Sequence, residues 1–386
     1  MKILVLGAGR MGLGAAYDLT HNSEGVELVT LADLDGSRAR AVAETLKTGR
    51  ARAAQLDVAD RARVVALMRE HDAVISCVEY FHNPALARAA VEAGTNFCDL
   101  GGNNAAVAEE LSLDAEARAA GVNVIPDCGL APGMVAVLAM HGAARFSTLE
   151  GLHIRVGGLP LEPRPPLDYQ IVFSVEGLIN EYVERARVIR GGRITEVESM
   201  TEVEALSFGP PYERMEAFQT SGGTSTLPET FLGRVRELDY KTIRYPGHCE
   251  KFRLLVELGL AGGEEVEVGG ARVRPRKLLG EMLYRHLPAD GPDVVLVRLE
   301  FVGRLEGSER AARLRYDIID RFDERAGLSA MQRTTAFPAS VVAQMMARGE
   351  TASRGALPQE RCIPPGRFVA ELAARGINIE ETLTDG

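Results

Sequence analysis

The strongest constraint on how this chain folds lies at its start. Ile3 to Leu6 is a short apolar run, fit for a parallel strand buried on both faces. Gly7-Ala8-Gly9-Arg10-Met11-Gly12 follows at the spacing G-x-G-x-x-G, and Met11 to Leu19 reads as helix. Each glycine has a physical task. Gly7 permits the tight strand-to-helix turn, Gly9 lets backbone approach a pyrophosphate, and Gly12 lets the helix lie close on the strand. The first helical amides, at Arg10 and Met11, then point toward the phosphates of a dinucleotide.

A second strand, Glu27 to Ala32, ends at Asp33, 21 residues beyond Gly12. A carboxylate there accepts hydrogen bonds from the adenosine ribose and repels a 2′-phosphate, which points to NAD over NADP. No arginine directly follows Asp33, although Arg38 and Arg40 lie nearby. Helices are expected at Ser37–Lys47, Arg61–Arg69, Pro84–Ala93 and Ala105–Ala120. Strands are expected at Ala51–Asp57, Ala73–Val78, Asn96–Leu100 and Val122–Pro126. Strands separated by helices of this length mean a doubly wound parallel sheet, so residues 1–125 read as a Rossmann domain.

Ligands of such sheets bind beyond the carboxyl ends of the strands. Asp57 stands there as a partner for the adenine amino group, or as a solvated loop residue. Cys77 and Val78 flank the ribose through their backbone. Asp99 opens the Gly101-Gly102 loop and Asp127 follows the strand ending at Pro126; helix capping is the plain alternative for both.

The pattern changes after Pro126. Pro132-Gly133-Met134 starts an apolar helix running to about Ala144, with the proline suited to a first turn. Strands follow at Gly151–Gly158, at Arg187–Val197 around Gly191-Gly192, and at Glu237–Arg244. Helices are expected at His248–Leu260, Pro275–His286 and Phe337–Arg348, and Asp293–Arg304 with Ala311–Phe322 reads as a long antiparallel hairpin. Residues 126–348 thus form a second α+β domain with a mixed, largely antiparallel sheet that takes the substrate. Residues 349–386 are a segment expected to pack back on the first domain.

The 386 residues suffice for two domains with cores. A net charge of −10 without a basic block disfavours nucleic acid as a partner. No apolar run reaches membrane-spanning length, and the chain opens on a core strand with no signal peptide ahead of it, which argues for the cytoplasm. Cys77, Cys98, Cys128, Cys249 and Cys362 lie far apart without a C-x-x-C pair, so they read as reduced thiols and not as a disulfide frame or a metal site. The hairpin Asp293–Phe322 offers a subunit contact, and a homo-oligomer, dimer or higher, is expected.

Several motifs in this order resemble the saccharopine dehydrogenase-like superfamily. They are the Gly7–Gly12 loop, Asp127-Cys128-Gly129-Leu130-Ala131-Pro132-Gly133-Met134, Thr220-Ser221-Gly222-Gly223-Thr224-Ser225-Thr226-Leu227 and Tyr240-Lys241-Thr242-Ile243-Arg244-Tyr245-Pro246-Gly247-His248. Pro165–Tyr169 and Phe173–Leu178 extend the likeness nearly end to end, and within the superfamily it is greatest to the lysine 6-dehydrogenases. The resemblance implies oxidation of the lysine ε-amine by NAD to 2-aminoadipate 6-semialdehyde, which cyclises to 1-piperideine-6-carboxylate, with release of ammonia. Saccharopine reductases usually carry Asp where this chain has Ala131 and a Ser-Tyr pair near Gly101-Gly102, so both positions count against saccharopine. The arginine that contacts a substrate carboxylate in those enzymes is present as Arg244.

Hydride leaves the ε-carbon only when the nitrogen can donate its lone pair, yet at pH 7 roughly one lysine in 10³ is neutral. The site therefore needs a proton acceptor. Asp127 and Asp99 are the candidates, with His248 as the other possible base; a structural bond or cap is the competing role for each. Arg244 suits the substrate carboxylate because a guanidinium grips it through two parallel hydrogen bonds, a structural ion pair being its rival role. Tyr169 and Thr224 are candidate hydroxyl donors. Lys241 has no carbonyl to capture in an amine substrate. The alternatives are a saccharopine or carboxynorspermidine-type dehydrogenase working reductively on an imine, and a nucleotide-binding regulator without turnover.

Overall fold

The computed structural model describes residues 1–308 and 310–385. Six strands, β1 (Lys2–Leu6), β2 (Leu28–Asp33), β3 (Ala51–Gln55), β4 (Ala73–Ser76), β5 (Asn96–Asp99) and β6 (Asn123–Ile125), alternate with helices. These are α1 (Arg10–Tyr17), α2 (Gly36–Thr45), α3 (Arg61–Met68), α4 (Asn83–Ala93), α5 (Asn104–Leu111) and α6 (Asp114–Ala120). The strands pair in parallel in the order β6-β5-β4-β1-β2-β3. Ile3, Leu4, Val5 and Leu6 are all fully buried, which is why β1 is an unbroken apolar run. The carboxyl ends of β1, β4, β5 and β6 carry Gly7, Cys77, Asp99 and Asp127.

The helix expected over Ala105–Ala120 is two helices. The Ser112 hydroxyl donates to the Glu109 carbonyl at 2.6 Å, diverting the last turn of α5 so that Leu113 is buried before α6 begins. Pro132 does not sit in the first turn of a helix. Helix α7 (Met134–Ala143) starts after Gly133, whose φ of 142° and close pass over Gly129 admit no side chain: a Cβ would lie 2.0 Å from the Gly129 carbonyl oxygen.

From there run β7 (Phe146–Pro160), α8 (Val175–Val183), β8 (Ala186–Arg190), β9 (Arg193–Val197), β10 (Glu204–Leu206), β11 (Met215–Gln219), α9 (Leu227–Phe231), β12 (Glu237–Arg244) and α10 (His248–Glu257). They are followed by β13 (Val266–Val268), β14 (Ala271–Val273), α11 (Pro275–His286), β15 (Asp293–Leu305) and β16 (Ala311–Arg321). The chain ends with α12 (Ala330–Arg348), β17 (Gly355–Ala356), α13 (Gln359–Cys362), α14 (Pro365–Ala374) and β18 (Glu380–Asp385). The second sheet has the order β10-β11-β12-β7-β15-β16-β18, with β8 paired to β12 and β9 paired to β8. Its β12–β7 pair is parallel and its other pairs are antiparallel. Leu159, Met215, Ala217, Ile243, Val294 and Leu296 form a core on this sheet.

Helix α12 starts seven residues before the expected Phe337. Asp293 accepts from the Ala330 and Met331 amides at 2.6 and 2.9 Å, a cap supplied by a distant strand. The chain forms two compact units. One comprises Met1–Ala144, Ser225–Leu227 and Gln332–Asn378; the other comprises Arg145–Thr224, Pro228–Met331 and the residues from Ile379 onward. The first unit therefore extends past the expected boundary at residue 125. The segment 349–386, whose last residue lies outside the described residues, is divided. β17 extends the first sheet in parallel with β6, whereas β18 pairs with β16. Among the described residues no helix is long and apolar enough to cross a membrane.

Candidate active site

In the first unit the glycine loop is a cradle that side chains would fill. Gly7 has φ 94°, and a Cβ on it would lie 2.8 Å from the Cys77 carbonyl oxygen and 3.2 Å from Val78 Cγ1. A Cβ on Gly12 would fall 1.8 Å from the Gly7 carbonyl oxygen. A Cβ on Gly9, the residue capping α1, would meet nothing within 4 Å, and no side chain caps this helix. Space therefore stands open at a helix N-terminus that no side chain caps, which suits a pyrophosphate. Arg10 is exposed and Met11 half-buried at the mouth of this loop.

Asp33 Oδ2 accepts from the Ala8 amide at 2.7 Å, and Oδ1 accepts from Asp35 at 2.9 Å. Each oxygen keeps a second lone pair, so the carboxylate is oriented and still able to accept ribose hydroxyls. Cys77 and Val78 come together with Gly7, and burial raises the Cys77 thiol pKa. Asp57 is exposed beyond β3 and accepts from Ala59 within its own turn at 2.9 Å.

Past β5 and β6 three carboxyl groups are buried together. Asp99 Oδ1 accepts from the amides of Gly101 (2.6 Å) and Asp127 (3.2 Å), so Asp99 holds the loop as an acceptor. Its Oδ2 faces the carboxyl of Glu110, and neither Oδ2 nor Glu110 Oε1 has another partner among the described residues. Two buried carboxylates cannot both stay ionised at such a contact. Glu110 keeps its proton and donates it to Asp99. Burial and then the charge of Asp99 push Glu110 up to about 11, while burial, opposed by the amide bonds, leaves Asp99 at about 6.

Asp127 is the third member. Its side chain is buried, its φ is 60°, and Ser225, also left-handed at φ 41°, donates to its Oδ2. Oδ1 has no hydrogen-bond partner among the described residues, and a Cβ on Gly101 would lie 2.2 Å from it. Burial and the nearby Asp99 charge push Asp127 up to about 8, against the Ser225 bond. Left-handed backbone at both hydrogen-bonded residues and an unpartnered Oδ1 set Asp127 apart from a routine cap.

In the second unit Arg244 ends β12 and is 2 % exposed. Its Nε donates to Tyr182 Oη at 2.8 Å and its Nη1 to the Ile243 carbonyl at 2.9 Å. The guanidinium lies over the Tyr169 ring, 4.8 Å from the centroid. Burial opposes its charge, but Tyr182, Tyr169 and Glu181 raise its pKa, so it stays a cation. The Tyr182 hydroxyl lies 3.0 Å from His248 Nε2, and His248 Nδ1 lies 2.9 Å from the Leu167 carbonyl. Only one proton arrangement satisfies this chain: Nδ1 donates to Leu167, Nε2 accepts from Tyr182, and Tyr182 accepts from Arg244.

Three expectations change here. His248 is not an available base: burial first, then Arg244, drives it down to about 3, and both ring nitrogens are engaged. Tyr169 meets Arg244 through its ring face and not its hydroxyl, which burial pushes up to about 12. Thr224 is buried and donates to the Arg187 carbonyl at 3.2 Å, so its proton is committed. Lys241 is tied to Glu204 and the Glu202 carbonyl.

The family profile described as "Saccharopine dehydrogenase NADP binding domain" matches residues 3–125, and that described as "Saccharopine dehydrogenase C-terminal domain" matches residues 129–377. The chain belongs to the saccharopine dehydrogenase family. It is 22 % identical over 456 aligned residues to the mitochondrial alpha-aminoadipic semialdehyde synthase of Mus musculus, covering 99 % of this chain and 48 % of that protein. It is 25 % identical to the saccharopine dehydrogenase [NADP(+), L-glutamate-forming] of Schizosaccharomyces pombe over 67 % of this chain and 58 % of that one. The chain thus spans about half the length of the curated relatives it matches. The fold matches that of saccharopine dehydrogenase (L-Glu forming) from Saccharomyces cerevisiae with a TM-score of 0.81 at 19 % identity, over 99 % of both chains.

Within this saccharopine dehydrogenase family member, four residues of these clusters escape a reading of the sequence. Ser225 lies inside a quoted motif, one residue past Thr224. Glu110 sits three residues after Val107 on the buried face of α5, the one local signal it gives. Tyr182 meets Arg244 from a separate helix, with Glu181 next to it in the chain, a long-range pairing that leaves no local trace.

Proposed function

We propose that this chain is an NAD-dependent dehydrogenase that oxidises the ε-amine of L-lysine to 2-aminoadipate 6-semialdehyde with release of ammonia. The observation that carries the reading is Asp127: a buried carboxyl with an unpaired oxygen, held near pKa 8. A substrate ammonium must lose a proton before oxidation, and an acid poised close to neutrality is the acceptor this step needs. Asp99 and Glu110 act behind it, since the retained charge of Asp99 raises the basicity of Asp127. Arg244, locked by Tyr182 and His248, takes the substrate carboxylate.

The cradle fits the cofactor. Gly7, Gly9 and Gly12, with the amides at Arg10 and Met11, hold the pyrophosphate, Asp33 holds the adenosine ribose, and Cys77 and Val78 line the loop. When bound, the nicotinamide ring supplies the hydride acceptor. The names of the fungal relatives carry NADP(+); the oriented Asp33 carboxylate supports NAD in this chain, because a 2′-phosphate there meets a like charge.

A reductive saccharopine-type reaction is the second reading, favoured by the names of the relatives. The tight contact of Gly101 with Asp127 and the alanine at 131 speak against it. Initial rates with lysine and NAD, in wild type and Asp127→Asn, test the assignment. The variant is expected to lose about 10²–10⁴-fold in kcat. Its residual rate lacks the rise through pH 8 that Asp127 gives the wild type. A variant within twofold of wild type at every pH removes Asp127 from the chemistry.

A further inference from the structure

Arg244 accounts for one charge of an amino-acid head group, and the structure contains a counterpart that the reaction does not use. Glu181 adjoins Tyr182 on α8, half-buried. Its backbone carbonyl accepts from the Ser221 amide at 3.0 Å, which fixes the helix against the loop carrying Gly222 and Gly223. Its carboxylate makes no hydrogen bond and no ion pair among the described residues. Its surroundings place it beside the Arg244 cluster: its neighbour Tyr182 holds Arg244 Nε, and a Cβ on Gly223, two residues past Ser221, would lie 2.4 Å from Cζ of Tyr240, four residues before Arg244 on β12. Its charge acts on Arg244, Tyr169, Tyr182 and Tyr240. Burial pushes it up to about 7, and Arg244 pulls the other way.

An unpaired carboxylate next to the residue that holds a guanidinium, with no ion pair between the two charges, suits the opposite charges of a zwitterion. A structural pair of opposite charges in that setting closes into a bidentate contact. We propose that Glu181 binds the α-ammonium of the substrate while Arg244 binds its carboxylate, so that the chain selects α-amino acids over amines or acids of the same length. The inference rests on the assignment of Arg244 given above. It adds a specificity-determining residue and defines the substrate class by both charges of the head group.

Three probes separate the charges: L-lysine, 6-aminohexanoate, which lacks the α-amine, and 1,5-diaminopentane, which lacks the carboxylate. Their affinities for the NAD-loaded protein are measured by calorimetry in wild type and Glu181→Gln, so that the readout does not depend on turnover. Wild type is expected to favour lysine over 6-aminohexanoate by about 10–100-fold, the worth of a charged hydrogen bond. Glu181→Gln is expected to bring the two ligands within about threefold while leaving 6-aminohexanoate affinity unchanged, which also reports an intact fold. An unchanged ratio, an equal loss of both ligands, or no binding of lysine by wild type overturns the clamp. Selective binding that follows these expectations without any reduction of NAD by lysine leaves the clamp standing and overturns the proposed reaction instead.

Discussion

The chain of hydrogen bonds that locks Arg244 gives the sharpest energetic test. Tyr182→Phe deletes one oxygen and leaves the ring, which keeps its edge contacts with Phe218 and Phe252 at centroid distances of 5.7 and 4.7 Å. The change removes the acceptor of Arg244 Nε and the donor to His248 Nε2, both buried. Loss of a charged hydrogen bond costs about 1.5–3 kcal/mol, and an orphaned buried acceptor costs about 1–3 kcal/mol. The two share one hydroxyl and do not add in full, so the expected cost is about 3 kcal/mol. Calorimetry is the suitable assay because two units can melt as separate transitions. For a unit of this size the transition containing β12 should fall by about 6–12 °C. In a His248→Phe background, where no Nε2 is left to orphan, the same change should cost about half as much. Lysine affinity should fall with the wild-type orientation of Arg244. A shift under about 2 °C with unchanged lysine affinity refutes the claim that this chain of bonds fixes the guanidinium.

Other expectations follow from the first unit. Asp99, Asp127 and Glu110 have pKa values raised to about 6, 8 and 11, so the folded state holds protons that the unfolded chain releases, and stability must fall as pH rises above the unfolded carboxyl range. Glu110→Gln keeps a donor for Asp99 and removes one of these titrations. Its melting temperature should therefore decline less than that of wild type between about pH 5 and about pH 9. Gly12→Ala should disrupt the loop, with nucleotide affinity reduced at least about 10-fold in an NADH fluorescence titration, because its Cβ meets backbone at 1.8 Å. Gly9→Ala, by contrast, should melt like wild type and still lose affinity, since its Cβ enters only open space. Asp33→Ser should raise the ratio of kcat/KM for NADP over NAD by about 10-fold or more, and an unchanged ratio denies Asp33 its role in the choice of cofactor.

How much of this was legible in the sequence depends on the range of the interaction. The Gly7–Gly12 loop and Asp33 are local patterns with a fixed mechanical meaning, and the parallel sheet follows from strands and helices alternating at short spacing. The hairpin of β15 and β16 was legible because both strands lie close in the chain and pair residue by residue. Helix α12 was misjudged at its start because its cap is Asp293, 37 residues away. His248 suggested a base by residue type alone. Only the fold shows that Tyr182 and Leu167 occupy both its nitrogens. The pKa values of Asp127 and Glu181 are likewise set by burial and by charges on other segments, which no spacing encodes.

The central claim is oxidation of a free amino acid's side-chain amine, and product analysis tests it most directly. Wild type is incubated with L-lysine and NAD alone, from about pH 7 to about pH 10, and NADH and ammonia are quantified together. The account predicts equimolar NADH and ammonia, with rates rising through about pH 8 as Asp127 ionises. No NADH from lysine at any pH, together with NAD(P)H consumption only when an amine and an aldehyde are supplied, contradicts it and assigns the chain to imine reduction.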